Sequence, residues 1–130
     1  MTAINIKITV DFDGIVNNIK PSGSTYNACE NYVTYSGKPV SGTTITLTKD
    51  KEYTFTLEAL NGNSCTATEL ESFESQDGDL TFESDTNNLQ LLCIASKVDT
   101  TGVDVTITAT FANGKISCTA IWDPTIIVHT

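Results

Sequence analysis

Between Val103 and Trp122 the chain reads VDVTITATF, then a turn at Ala112-Asn113-Gly114-Lys115, then ISCTAIW. Val103, Val105, Ile107, Ala109 and Phe111 share one parity, and Asp104, Thr106, Thr108 and Thr110 share the other. Successive side chains of a strand point to opposite faces, so this period of two predicts a half-buried β-hairpin. No catalytic or cofactor motif accompanies it.

The same alternation recurs along the chain. Ile4, Ile6, Ile8, Val10 and Phe12 predict a first strand, and Asp13-Gly14 reads as a two-residue turn returning Ile15–Ile19 beside it, stopped at Pro21-Ser22-Gly23-Ser24. Val33 suggests a short strand before a loop at Ser36-Gly37-Lys38-Pro39. Thr44–Thr48 alternates, Lys49-Asp50-Lys51 turns, and Tyr53, Phe55, Leu57 and Ala59 face inward. Asn61-Gly62-Asn63 and Gln76-Asp77-Gly78-Asp79 read as turns. Leu89–Ala95 is apolar on both parities, which predicts a central strand buried on both faces. No stretch holds a helical period, so helix is expected only as a turn or two. The 22 threonines suit the solvated faces of strands. One all-β domain spanning residues 1–130 follows, an antiparallel sandwich of about seven to ten strands.

A chain of 130 residues can remove roughly two thirds of its unfolded surface from water, so folding needs no cofactor and no metal. With seven Lys, no Arg and a net charge of −9, contacts to phosphates or to an anionic membrane would be few and opposed by repulsion. Neither nucleic acid nor membrane is expected as a partner. No segment approaches the ~20 apolar residues of a membrane span. Met1–Lys7 enters the alternating pattern directly, without a basic and then apolar leader, so the expected place of synthesis is the cytoplasm. Cys29, Cys65, Cys93 and Cys118 form no Cys-x-x-Cys pair, and the last three share parity with apolar neighbours. They read as buried free thiols in preference to disulfides.

Candidate chemical groups are few. His129, the only histidine, stands one residue from the C-terminus, a poor place for a catalytic base. Asp11 and Asp13, and Asp77 and Asp79, could offer oxygens to calcium, but neither pair extends into a calcium-loop pattern. Trp122, Tyr53, Phe55 and Phe111 could form a sugar platform, yet all share the parity of apolar faces, which assigns them to the core. No catalytic, cofactor-binding or metal residue is assigned, and the chain is expected not to be an enzyme. After Asp123-Pro124, the β-prone run Ile126, Ile127 and Val128 needs cover on both sides. It is either the last strand of the chain's own sheet or an assembly strand added to a neighbouring subunit.

Gly102–Phe111, Asn113-Gly114-Lys115 and Ile116–Ala120 together resemble the closing hairpin of bacterial and phage immunoglobulin-like domains. Lys49–Leu57 is similar to that family's second strand. The resemblance covers about residues 42–123; the family's mid-domain tryptophan is missing, and residues 1–40 would be extra N-terminal strands or an arm. It implies an immunoglobulin-like β-sandwich whose work is display, spacing and adhesion. The expected function is that of a phage virion protein, a capsid decoration or tail-associated module acting on other protein subunits. The alternative is a carbohydrate-binding or adhesin module with a glycan partner.

Overall fold

The computed structural model describes residues 3–72 and 80–130. In chain order these form β1 (Ile4–Val10), helix α1 (Phe12–Asn18), β2 (Thr25–Tyr26), a 3-10 turn (Glu30–Tyr32), β3 (Val33–Ser36), β4 (Val40–Ser41), β5 (Thr44–Thr48) and β6 (Glu52–Ala59). The second half contributes β7 (Thr66–Ser72), β8 (Leu80–Ser84), β9 (Gln90–Ala95), β10 (Asp99–Val103), β11 (Ile107–Asn113), β12 (Ile116–Trp122) and β13 (Thr125–His129). The fold is all-β, in three sheets ordered β3-β1-β6-β9-β8, β2-β12-β11-β7 and β10-β13-β5-β4.

The C-terminal hairpin is longer than the alternation suggests, and it is bent. Ile107 pairs with Trp122 in the second sheet, and Val103 pairs with Ile126 in the third. Both pairs belong to one register, so β10–β11 and β12–β13 are two strands that each cross from sheet to sheet. At the corner Thr106 Oγ1 donates to Asp123 Oδ1 at 2.9 Å, and Pro124, which has no N–H to give a ladder, is buried. Val103 and Val105 are buried on either side of the corner, which is why unbroken alternation continues through a break in the strand. The turn also sits one residue later than the Asn-Gly pair suggests. Asn113 pairs with Ile116, leaving Gly114 (φ 66) and Lys115 as the central residues. Positive φ at the first central position alone is the type II′ geometry.

Pairing is mixed, which corrects the expectation of a purely antiparallel sandwich. β1 runs parallel to β6, β2 to β12 and β13 to β5. Each parallel pair brings in a strand from the first 26 residues or from the tail; between residues 42 and 123 the strands pair with one another only antiparallel. The described part of residues 1–40 forms added strands and not an arm, since β1 lies between β3 and β6 with Ile6 and Ile8 fully buried. Burying such side chains is worth about 1.5–3 kcal/mol each.

Asp13-Gly14 is not a hairpin turn. Asp11 accepts from Gly14 N at 3.0 Å and so caps α1, which takes residues Phe12 and Ile15 into the core. A Cβ on Gly14 would stand 2.5 Å from Asp11 Oδ2 and 2.9 Å from Tyr32, so the capping geometry itself requires glycine there. β9 is buried on one face only. Leu91, Cys93 and Ala95 point inward, while Ile94 is 38% exposed, because the first sheet has a packed layer on one side.

The inward residues of all three sheets meet in one core. Phe12 stacks on Phe111 with ring centroids 4.4 Å apart, Trp122 reaches Tyr35 on β3, and Thr48 N donates to Tyr53 Oη at 2.7 Å. Trp122, Tyr53, Phe55 and Phe111 are all core residues. Among the described residues no helix is long and apolar enough to cross a membrane.

Candidate functional site

Asp11 and Asp13 are brought together with the β6–β7 loop. Asp11 Oδ1 accepts from Asn63 Nδ2 at 3.0 Å, and Asn63 Oδ1 accepts from Asp13 N at 3.3 Å. Asp13 accepts from Ser64 N at 2.8 Å, from Cys65 N at 3.0 Å and from Ser64 Oγ at 3.1 Å. The main-chain donors of Ser64 and Cys65 hold its carboxyl down at about 2. These carboxylates spend their acceptor capacity joining the N-terminal helix to a loop some fifty residues away. Asp77 and Asp79 lie outside the described residues. Among the described residues no group of three or more His, Cys, Asp or Glu is placed to hold a metal ion.

The four cysteines are free and buried. Burial pushes the Cys93 thiol up to about 12, and burial together with a hydrogen bond to Asp13 does the same to Cys65. A thiol held that far above neutrality supplies almost no thiolate, the nucleophilic form. His129 ends β13 exposed, with Nδ1 3.0 Å from the Thr130 carbonyl oxygen. Ile126, Ile127 and Val128 lie in β13, which has β10 on one side and β5 on the other. Both its edges are thereby taken inside the chain's own sheet, and Ile126 and Val128 are fully buried. As an assembly strand it has no free edge to lend.

A concavity rich in polar groups lies among the described residues where no sequence motif marks one. A cleft of about 270 Å³ lies between β7 and the turn joining β8 to β9. Glu69 and Glu71 form its β7 wall; Asp85, Asn87 and Asn88 of the turn form the other; Phe82 and Leu91 lie between them. The turn is held by its own side chains, Asp85 Oδ1 accepting from Thr86 N at 2.7 Å and Asn87 Oδ1 from Leu89 N at 2.9 Å. Leu70 N then donates to the Asn88 carbonyl at 2.8 Å, stitching the turn to β7. Glu69 and Glu71 fall on one face of β7, two residues apart, and a hydrogen bond that the protonated Glu71 carboxyl donates to Glu69, with some burial, raises Glu71 above the usual carboxylate range. The signal in the sequence was the pair Glu69 and Glu71 flanking inward Leu70, together with an Asx-rich turn after Phe82. Neither says that the two segments face each other.

No family model matches the chain, and no curated protein matches it. Its fold is similar to the crystal structure of the inclusion body protein PixA from Burkholderia cenocepacia J2315, with a TM-score of 0.56 over 99% of this chain and 98% of that one. Sequence identity between them is 8%, so the likeness is one of fold alone.

Proposed function

We propose that this chain is a non-enzymatic structural module that works through contacts with other protein subunits, as a virion decoration or tail-associated protein would. The observation that carries this reading is the end-to-end likeness to a protein described as an inclusion body protein. Packing copies together is a task for surfaces and needs no catalytic centre. The use of reactive groups fits as well: thiols are in the core and Asp11 and Asp13 are committed to main-chain donors. Within this reading residues 42–123 are an immunoglobulin-like sandwich, supported by the antiparallel pairing of their strands with one another, to which β1, β2 and β13 have been added as parallel partners.

Light scattering after size exclusion, from micromolar to near-millimolar protein, tests the proposal. Discrete oligomers or larger assemblies growing with concentration are expected. A monomer throughout, which also fails to co-purify with any protein assembly from its native source, would overturn it.

A further inference from the structure

We propose that the cleft between β7 and the β8–β9 turn is a binding site for a neutral saccharide. The inference is independent of the subunit contacts above and rests on the cleft's shape and on its inventory of donors and acceptors.

Size sets the first limit. At about 270 Å³ the cleft lies just below the roughly 300–1,000 Å³ usual for small-molecule sites, which suits a ligand of monosaccharide dimensions. Charge sets the second. Glu69, Glu71 and Asp85 line it with no Lys among the described lining residues, so a phosphate, a sulfate or a uronic acid would meet like charge.

A cation satisfies the carboxylates but not the remaining groups. Asn87 gives its side-chain oxygen to Leu89 N, which leaves its amide N–H groups as donors. Asn88 adds another side-chain amide at the same rim. Ammonium groups and metal ions cannot accept from the Asn87 N–H groups, and would leave these donors facing a cation. A hydroxyl both donates and accepts, so a vicinal diol can give its protons to Asp85 and take N–H bonds from the asparagines. The carboxyl of Glu71, shared with Glu69, adds to the same mixed inventory. Phe82, half-buried and tilted against Phe55 with ring centroids 6.0 Å apart, lines the cleft with the rest of its ring, an apolar surface for the C–H groups of a pyranose. Polar walls with an apolar floor match a sugar, whose equatorial hydroxyls ring an apolar face.

The test uses the full chain on an array of neutral glycans, followed by 1H–15N spectra with the best-bound neutral glycan and, separately, with spermidine. Binding to a neutral glycan is expected, with the side-chain amide signals of Asn87 and Asn88 shifting on addition. Asn88→Ala should weaken that binding at least about tenfold, the scale of one lost polar contact, with an unchanged melting temperature. Asp85→Asn, which keeps the turn's acceptor oxygen, should weaken it as well. Four results would each overturn the proposal: no neutral glycan bound, shifts away from the cleft, affinity indifferent to both substitutions, or perturbation of the cleft by spermidine alone.

Discussion

The indole Nε1–H of Trp122 donates to the phenol oxygen of Tyr35 at 2.8 Å, joining β12 to β3 across 87 residues of sequence. Trp122 is 1% exposed, so the N–H has no water to turn to, and burial pushes the Tyr35 hydroxyl well above the usual phenol range. Tyr35→Phe should therefore cost about 1–3 kcal/mol, the penalty of a buried donor without a partner. Trp122→Ala should cost about 3–5 kcal/mol through the cavity it opens. Denaturant midpoints measure both, and a near-neutral Trp122→Ala would contradict a core role.

Asp13 links stability to pH in a defined direction. Its folded-state value, about 2, lies below the ordinary 3.8, so what it contributes is fully present above about pH 5 and is lost as pH falls through that range towards 2. Asp13→Asn should lower the melting temperature at pH 6. At pH 2 wild type and variant should converge, and a gap of equal size at both pH values would show that the charge is irrelevant.

The Asp11 cap offers a separable test. Asp11→Ala removes the acceptor for Gly14 N and for Asn63 Nδ2, and caps of this kind are worth about 0.5–2 kcal/mol. Asn63→Ala removes the second contact together with the acceptor for Asp13 N. Because the Asp11–Asn63 hydrogen bond is lost in both single variants, the double variant should lose less than the two single losses added together, as read from urea midpoints.

The thiols should be silent until the chain unfolds. Native protein should resist a thiol-specific chromogenic reagent, whereas the denatured chain should titrate all four cysteines. Reducing agent should leave the melting curve unchanged. A downward shift with reductant would reveal a disulfide.

Deleting residues 124–130 should unfold the protein. β13 is an interior strand of its sheet, and Ile126 and Val128 are fully buried, so its loss strips β5 and β10 of their partner and uncovers the core. Circular dichroism of the truncated chain checks this. A folded monomer that had lost only its ability to associate would instead place the strand at an interface.

What was legible in the sequence is local. The parity of Ile107, Ala109, Phe111, Cys118, Ala120 and Trp122 assigned each to the core, and each is buried, because pleat alternation is a property of a single strand. The turn at Lys49-Asp50 and the all-β class follow from the same local chemistry, Asp50 taking positive φ (67°). Asp13-Gly14 misled because the same two residues serve a hairpin or the first turn of a helix. The choice fell to Asp11, whose carboxylate finds Gly14 N, and to Phe12, which stacks on Phe111 almost a hundred residues later.

The sequence by itself therefore determined which side of each strand is apolar, and that the chain must build layers to cover those sides. Only the tertiary structure decided which strands lie beside which. Parallel pairing of β1 with β6 and of β13 with β5, and the corner at Pro124 that carries one hairpin through two sheets, leave no mark on local alternation. The cleft was decided in the same way: Leu70 N reaching the Asn88 carbonyl is a long-range contact, and the facing of Glu71 and Asp85 depends on it. Hydrophobic burial fixes a residue's face without specifying its neighbour, and neighbours are what make a site.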